Sequence, residues 1–306
     1  MAFEFFRPKI KVATHSGSFH PDDVFACATL SLWAEKQGQA ITITRTRDKD
    51  VIERADIVVD VGMVYDPDKN RFDHHQVGGA GRRENSVAYA SFGLVWKKFG
   101  KEVCGESEIA DIVERELVVA IDAKDNGVNI STPAIEGVSD YGIDKMIGSF
   151  NPTWLEGGES IDPIFRKMVS LGKEVIMRNI ALARAAVLGA EMVREEVVKQ
   201  GDSPILILER YVDWEKEVSK HQHIKFVVYK HRNGSDWAIQ VGRNNPEDYN
   251  SDRASFPKSW QGLRDGELSK VIGIEDAIFC ANGGWYAVAR SKDSAIRMAQ
   301  MALAQS

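Results

Sequence analysis

Apolar positions in the first third of the chain change between strand-like runs and helical spacing. Three short apolar runs bounded by turn-forming residues predict β-strands: Lys9–Thr14, Ile41–Thr44 and Ala55–Asp60. Between the first two runs, apolar residues recur every three or four positions from Asp23 to Gly38, which predicts a helix. Short strands that alternate with helices indicate a doubly wound α/β domain built on a parallel sheet.

Three further helices are predicted from apolar spacing and from the residues that begin and end each segment. The first runs from about Ser86 to Phe99, with Asn85 as its cap and Gly100 after its end, and the second from about Ser107 to Ala123. Beyond Pro163 the chain has no proline up to Gln200, and its apolar residues keep helical steps. We therefore predict one long helix there, with Pro163 in its first turn.

After Gly201 the pattern changes back to strands. Four apolar runs predict them: Pro204–Leu208, Ile224–Tyr229, Trp237–Val241 and Trp285–Ala289. Asn233–Gly234 predicts a hairpin turn between the middle two, and a last helix is predicted from about Ser294 to Ala304. The sequence thus indicates an N-terminal α/β domain over 1–155, a connecting helix over 156–200 and a smaller C-terminal α+β domain over 201–306.

The composition is that of an ordinary globular protein, because 43% of the 306 residues are hydrophobic and 27% are charged. The three cysteines are far apart, which excludes a disulfide framework and a cysteine zinc site. No apolar stretch reaches the roughly 18 residues of a membrane span, and the N-terminus lacks a signal pattern, so we expect a cytoplasmic protein without a membrane partner.

The net charge of −6 comes from the first 150 residues, which carry 18 Lys and Arg against 24 Asp and Glu. A protein that binds nucleic acid through a broad basic surface has a different charge balance. Any nucleic-acid partner must therefore be held locally, at a site.

Four of the seven histidines lie in two short stretches beside aspartates, and further aspartates follow apolar runs. These residues are His15, His20, Asp22, Asp23, Asp60, Asp73, His74, His75 and Asp122. Carboxyl ends of parallel strands line one crevice, so His15, Asp22 and Asp60 can converge there. Imidazole and carboxylate together, without thiolate, suit Mn²⁺, Fe²⁺, Co²⁺ or Zn²⁺, and several carboxylates suit a pair of ions. Each aspartate taken alone is more often a helix cap or a turn residue.

The string Asp73-His74-His75 resembles the signature of the DHH phosphoesterase superfamily. The longer strings Thr14–Asp23, Val59–Gly62, Phe72–Gln76 and Asp122–Gly127 resemble the Myg branch of that superfamily, which is named for a melanocyte-proliferation gene product. In the second half, Phe256–Trp260, Gly262–Arg264, Glu267–Ser269 and Phe279–Gly284 are similar to the same branch. The resemblance covers essentially the whole chain.

This resemblance implies a DHH domain, a smaller substrate-binding domain and an active site in the cleft between them. It implies five metal ligands: His15, Asp22, Asp60, His74 and Asp122. Asp60 and Asp122 are the implied bridging carboxylates, and His75 is implied to face the substrate phosphate or the leaving oxygen. The first motif departs from the pattern His-x3-Asp-x-Asp, since Val24 stands at the final acid position when Asp22 is aligned. His20 or Asp23 then replaces that acid, or one metal site is weak.

The C-terminal half offers candidate substrate contacts. Arg243 and Arg264 lie in a polar segment with the aromatic residues Tyr249, Phe256 and Trp260, and arginine forks and aromatic faces bind phosphates and unpaired bases. The alternative is a surface loop whose arginines pair with Asp248, Asp252 and Asp265. Asn282, Gly283 and Gly284 resemble a glycine-rich substrate loop of the superfamily, and a simple turn is the alternative.

The resemblance favours a Mn²⁺-dependent phosphodiesterase, specifically a 3′–5′ exonuclease on RNA or short oligonucleotides. Two ions, with Mg²⁺, Co²⁺ or Zn²⁺ as substitutes, are expected to hold the hydroxide that attacks phosphorus. The rival enzyme is a small-molecule phosphohydrolase acting on pyrophosphate, a cyclic dinucleotide or a phosphoadenosine. A metal-binding regulatory protein without turnover is the third hypothesis, and a homodimer is compatible with all three.

Overall fold

The computed structural model describes residues 9–156, 160–232 and 234–305. It divides into two compact units, Met1–Ala183 and Arg184–Ser306. Asn233, half of the predicted hairpin turn, lies outside the described residues. Both units combine helices with one mixed β-sheet, so the chain is an α/β protein.

The sheet of the first unit has five strands: β1 (Ile10–Thr14), β2 (Ile41–Arg45), β3 (Ile57–Val59), β4 (Tyr65–Asp66) and β5 (Arg71–Phe72). Their order is β2-β1-β3-β5-β4, and the first four of these are parallel. The edge strand β4 is antiparallel to β5. The predicted parallel sheet therefore has one antiparallel edge, because a helical turn over Pro67–Lys69 and left-handed Asn70 fold two short strands into a hairpin.

Apolar side chains cover both faces of the first sheet. Helix α1 (Pro21–Lys36) follows β1, and α2 (Lys49–Glu53) follows β2. On one face Ala13 and Val58 pack with Ile52 of α2, while Val12 and Ile57, whose side chains alternate with these, are also buried. The chain continues from β1 to β2 on one side and reaches β3 on the other. The sheet thus has a topological switch point between β1 and β3, where α/β proteins place their ligands.

Helix α3 (Ser91–Cys104) begins and ends five residues later than predicted, and left-handed Gly105 follows its end. Asn85 is not its cap. The predicted helix from Ser107 is present as α4 (Ser107–Val113), a π-helical turn (Glu114–Val118) and α5 (Val119–Asp125), and a short helix α6 (Ile143–Gly148) follows. Asp122 therefore lies inside a helix.

The long predicted helix is α7 (Asp162–Gln200), 39 residues in length. It crosses the boundary between the two units at Ala183 and covers most of the connecting helix predicted over 156–200. Gly172 lies against Ala28 of α1, where an added Cβ would be 3.1 Å from the alanine Cβ, so the first half of α7 packs closely on the first unit.

The sheet of the second unit also has five strands: β6 (Ile205–Leu208), β7 (Phe226–Lys230), β8 (Trp237–Val241), β9 (Ala277–Cys280) and β10 (Tyr286–Ala289). Their order is β6-β7-β8-β10-β9, with only β6 and β7 parallel. The helices are α8 (Glu215–Val218), α9 (Asp265–Ile272) and α10 (Lys292–Leu303). β9 and α9 were not predicted, and they complete the core that includes Leu268, Ile272 and Ala277. None of the helices in the described part of the chain has the length and apolar character of a membrane span.

Candidate metal centre

Three loops at the carboxyl ends of parallel strands carry the predicted histidines and one aspartate. His15 directly follows β1, Asp60 directly follows β3, and His74 lies two residues after β5. Since these strands are adjacent and parallel, their ends meet at one edge of the sheet. The structure thus brings together the residues that the sequence predicted to converge.

The first turn of α1 adds Asp22 and Asp23, both fully buried. The backbone N–H of His20 donates to Asp23 Oδ1 at 2.9 Å, which is one half of a capping box that begins the helix. Asp22 accepts from the backbone N–H groups of Ser91 and Phe92 at 2.9 and 2.7 Å, so it caps α3 from a distant part of the chain. Both carboxylates are held in place by helix ends.

The first group of potential ligands surrounds His15. Its Nε2 lies 3.1 Å from Asp23 Oδ2 and 3.4 Å from Asp60 Oδ2. The ring of His20 is tilted against that of His15 at a centroid distance of 5.4 Å. One ligand atom each of His15, His20 and Asp60 fits within 4.8 Å, a separation at which one cation can bind all three.

The second group surrounds His74. Its Nε2 lies 3.1 Å from Asp125 Oδ2, 3.5 Å from Asp60 Oδ1 and 3.9 Å from Asp22 Oδ2. Asp22, His74 and Asp125 form a second set within 4.8 Å, and Asp60, His74 and His75 form a third. Asp60 thus turns one oxygen toward His15 and the other toward His74, which is the geometry of a carboxylate shared by two groups.

Asp73, the aspartate of the Asp-His-His string, shapes the loop. It accepts from the backbone N–H groups of Met63, His74 and His75, and its Oδ1 lies 2.8 Å from His75 Nδ1. Burial alone would raise the pKa of Asp73, but the hydrogen bonds from the His75 ring and from the backbone outweigh it, and the pKa is lowered. Asp73 therefore stays ionised and orients His75, whose side chain is 55% exposed.

Asp122 has surroundings different from those that the sequence implied. Its Oδ2 lies 2.8 Å from Arg83 Nη2, and its Oδ1 accepts from the backbone N–H of Gly93 in the first turn of α3. A side chain on Gly93 would overlap this carboxylate. The described residues place Asp125, not Asp122, beside His74. Asp125 was missed, although it stands one helical turn after Asp122 in the same quoted string.

Burial and mutual repulsion dominate the electrostatics of the centre. Burial, and then the charges of Asp125, Asp60 and Asp122, raise the pKa of Asp22 well above its usual range. Burial raises the pKa of Asp122 to about 7 against the opposing effect of Arg83. Burial would lower the pKa of His74, but the carboxylates of Asp125, Asp60 and Asp22 raise it to about 11. Carboxylates collected in a buried site repel one another, and a divalent cation would relieve that repulsion.

The buried polar atoms of the centre are a second reason why this set of donor atoms suits a transition-metal ion. His15 Nε2, His74 Nε2 and Asp23 Oδ2 are buried, and none of them makes a hydrogen bond of good geometry within the described residues, although each lies 3.1 Å from an imidazole nitrogen or a carboxylate oxygen. Buried polar atoms are normally paired, and metal coordination is one way of pairing them. Asp60 also has a φ of 54°, a left-handed conformation that a non-glycine residue adopts at a cost and that is concentrated at functional sites.

Of the predicted substrate contacts of the second unit, the two arginines pair with neighbouring aspartates and two aromatic residues lie in the core. Arg243 Nε lies 2.8 Å from Asp252 Oδ1, and Arg264 Nε lies 3.2 Å from Asp265 Oδ2, as the surface-loop alternative predicted. Phe256 and Trp260 are buried in the core, so these two rings are not available to stack on bases, whereas Tyr249 is exposed.

The loop of Asn282, Gly283 and Gly284 has two left-handed glycines. A side chain on Gly284 would overlap Ser255 and Gln261, so the close packing of this loop requires glycine there. Asn282 and Gly283 are exposed.

Comparison with known proteins agrees with the resemblance seen in the sequence. A MYG1 protein of Schizosaccharomyces pombe is 30% identical over 96% of this chain and 97% of its own length. Proteins named MYG1 exonuclease are 30% identical in Mus musculus and 29% in Homo sapiens, over 96% of this chain and 85% and 86% of theirs. An exopolyphosphatase-related protein from Bacteroides fragilis aligns with 97% of this chain and 92% of its own, at 11% identity and a TM-score of 0.22, which is too low to support a statement about fold or activity. The model of the family described as "MYG1_exonuc: Uncharacterised protein family (UPF0160)" matches residues 11–303, and the chain belongs to that family.

Proposed function

We propose that this protein is a metal-dependent phosphodiesterase that removes nucleotides from the 3′ end of RNA or short oligonucleotides. The observation that carries the proposal is the pair of histidine–aspartate groups around His15 and His74, joined by Asp60. Relatives that align with almost the whole chain are named exonucleases, which supports nuclease activity over other hydrolase chemistry.

Two cation positions follow from the donor atoms. His15, Asp60 and either His20 or Asp23 would hold one ion, and Asp22, His74 and Asp125 the other, with Asp60 common to both. Imidazole and carboxylate ligands suit Mn²⁺, with Co²⁺ or Zn²⁺ as substitutes. When bound, such ions neutralise phosphoryl oxygens and lower the pKa of water at the site.

The protein side chains have separate tasks in this proposal. Asp22 and Asp23 are fixed by the ends of α3 and α1 and keep the ligand atoms in place. His75 would contact the phosphoryl or leaving oxygen, because Asp73 holds its Nδ1 and leaves the exposed edge of the ring available. With Nδ1 donating to a carboxylate, a ring that is also protonated at Nε2 would give that second proton to the leaving oxygen and remain as the neutral tautomer with its proton on Nδ1.

The test measures shortening of a 5′-labelled single-stranded RNA by the full chain with Mn²⁺ and with EDTA. We expect a ladder of shortened labelled products with Mn²⁺ and none with EDTA. Asp60→Asn should lose the activity, while Asp68→Asn, an exposed aspartate of the neighbouring turn, should retain it.

Two further substrates check the direction and the mode of cleavage. An RNA with a blocked 3′ end and a circular RNA should both resist cleavage. Immediate release of a labelled mononucleotide would contradict the proposed polarity, and cutting of the circular RNA would contradict an exonuclease.

A small-molecule phosphohydrolase is the second candidate, and a buried centre that only a few side chains such as His75 expose to solvent is compatible with it. Pyrophosphate and a cyclic dinucleotide are therefore assayed beside the RNA. Hydrolysis of either one, with RNA left intact, would replace the exonuclease proposal. Intact RNA, pyrophosphate and dinucleotide with Mn²⁺ demonstrably bound would favour a binding role.

A further inference from the structure

A cavity of about 550 Å³ opens on the second unit, away from every residue of the metal centre in the sequence. Its walls are the loop after β6, the end of β7 with the loop that follows, and Ala185 of α7. Because β6 and β7 are parallel, both loops leave from the same edge of the sheet. A cavity of this volume has the size of a small-ligand site.

The cavity is basic in an acidic protein. Three permanently charged side chains line it, namely Arg210, Lys230 and Arg232, against the single carboxylate of Asp213. All three cations are exposed, and no ion pair within residues 9–156, 160–232 and 234–305 involves any of them. Asp213 interacts with the Tyr211 hydroxyl. The lining therefore carries an excess of positive charge, three cations against one carboxylate, which favours an anion.

One of the three cations is held in a fixed orientation. The guanidinium of Arg232 lies over the ring of Tyr211, 4.3 Å from its centroid. Tyr211 in turn packs edge-on against Tyr229 at 5.5 Å, and Tyr229 is buried in the core of the unit. A stacked guanidinium keeps its N–H groups available at the edge, which is the arrangement that binds two oxygens of one phosphate.

The adjoining loop is anchored as well. At Gly189 of α7 an added Cβ would be 3.3 Å from the backbone nitrogen of Asp213 and 3.5 Å from Val212 Cβ, so the helix passes directly beneath the loop. Val212 and Tyr211 pack against the same buried cluster as Trp214. The wall formed by the loop after β6 is thus in place before any ligand binds, which reduces the ordering cost of binding.

We propose that this cavity, which we call the Arg232 cavity, binds phosphate groups of a single-stranded oligonucleotide. The phosphate chemistry follows from three cations without ion-pair partners in the described part of the chain, one of which is the stacked guanidinium of Arg232. The choice of an oligonucleotide over a free nucleotide rests on the function proposed above. The face of Tyr211 is covered by Arg232, so recognition falls on the sugar-phosphate backbone, without a base stacked on that face.

The test is binding of a fluorescent 12-nucleotide RNA by the full chain in EDTA, measured by anisotropy at several salt concentrations. The variant combines Arg210→Ala, Lys230→Ala and Arg232→Ala. The control combines Lys270→Ala, Arg290→Ala and Arg297→Ala, which removes the same charge from exposed positions outside the cavity. Thermal unfolding of both variants confirms that they fold.

We expect the cavity variant to bind RNA about tenfold more weakly at low salt and to lose about two from the slope of log affinity against log salt, since each single-strand phosphate contact contributes about 0.7. Arg232→Lys, which keeps the charge and loses the fork, should give an intermediate affinity. Affinity within twofold of wild type in the cavity variant, or an equal loss in the control, would overturn the proposal.

Competition by AMP and by inorganic phosphate distinguishes the sources of the anion. Competition only at concentrations far above that of the RNA supports the oligonucleotide, whereas equal displacement by AMP would assign the cavity to a mononucleotide instead. The assay is separate from cleavage. If the cavity variant binds RNA normally while Asp60→Asn abolishes Mn²⁺-dependent shortening, the cavity proposal fails and the exonuclease proposal stands. If the cavity variant binds RNA more weakly but the wild-type protein does not shorten RNA with Mn²⁺, the cavity proposal stands and the exonuclease proposal fails.

Discussion

Asp122 and Asp125 lie three residues apart on α5, and their neighbours differ. Asp122 is fully buried against Arg83 and the first turn of α3, whereas Asp125 lies 3.1 Å from His74 and is partly exposed. Helical spacing places both on the same side of α5, so the sequence string alone could not tell which of the two lies beside His74.

Substituting each aspartate separates these roles. Asp125→Ala should weaken Mn²⁺ binding at least about tenfold with little loss of stability, because it removes a proposed ligand whose side chain is partly exposed. Asp122→Ala should lower the free energy of unfolding by about 1–3 kcal/mol, since it removes the acceptor of the Gly93 N–H and one of the two carboxylates at the buried Arg83, which keeps Glu114. Titration calorimetry and urea unfolding measure the two effects, and a larger loss of stability in Asp125→Ala would contradict this assignment.

Gly93 is required by the close approach of Asp122. An added methyl group there would overlap the carboxylate and press on the Arg83 guanidinium. We expect Gly93→Ala to destabilise the protein by about 1–3 kcal/mol through overpacking. Gly148→Ala, in α6 with open space around it, is the matched control and should be neutral or slightly stabilising. Equal unfolding midpoints in urea for the two variants would show that the site tolerates the methyl group.

At the scale of elements, the start of α3 shows why local signals can misplace a helix. Apolar spacing and Asn85 predicted a start near Ser86, but the helix begins at Ser91. Its first N–H groups are bound by Asp22 and Asp122, which stand 69 and 29 residues away from their partners in the chain. Carboxylates at a helix N-terminus satisfy its free donors and interact favourably with its dipole. The cap therefore comes from the metal centre.

Arg253 performs a similar task in the second unit. Its guanidinium donates to the carbonyl oxygens of Val218, Ser219, His221 and Ile224, which ties the end of α8 to the start of β7. Lysine has no planar fork, so Arg253→Lys should lose several of these bonds and cost roughly 2 kcal/mol or more. Arg264→Lys, at an exposed ion pair, should change the unfolding free energy by less than about 1 kcal/mol. Similar urea midpoints for Arg253→Lys and Arg264→Lys would show that the hydrogen bonds of Arg253 do not stabilise the unit.

At the scale of the whole molecule, we expect the charge of the candidate metal centre to couple cation binding to stability. The pKa of His74 is raised from 6.5 to about 11 and that of Asp122 from 3.8 to about 7. For both groups the folded state binds more protons than the unfolded state. Their contribution to stability is therefore complete below the unfolded pKa and is lost as the pH rises through the folded pKa.

The metal-free protein should consequently lose stability as the pH rises from about 4 toward 11, while cation binding, which requires deprotonated ligands, becomes stronger. We expect Mn²⁺ to raise the melting temperature more at about pH 8 than at about pH 5.5, relative to EDTA. Asp60→Asn should abolish most of this difference. An equal rise at both pH values would contradict the coupling.

Much of the first unit could be predicted from local sequence. Strands β1, β2 and β3, helix α1 and the long α7 follow from apolar periodicity, which reflects burial and needs no knowledge of neighbours. The convergence of His15 and Asp60 followed from one rule of parallel sheets. The Asp-His-His string also indicated the loop that holds His74, although Asp73 itself acts on the backbone and on His75.

Other features depended on residues far apart in the chain. The β4–β5 hairpin, β9 and α9 are short, and packing against neighbouring elements stabilises them more than their own pattern does. Arg243 and Arg264 pair with Asp252 and Asp265, which charge alone could not distinguish from phosphate contacts.

The sequence by itself determined the α/β class, the family and the residue types of the metal centre, because periodicity and short strings are local properties of the chain. Only the tertiary structure decided that Asp125 stands beside His74, that Asp122 pairs with Arg83, and that Arg210, Lys230 and Arg232 share a cavity. Distances between side chains from different elements depend on how strands align and helices pack, and a one-dimensional pattern does not contain that information.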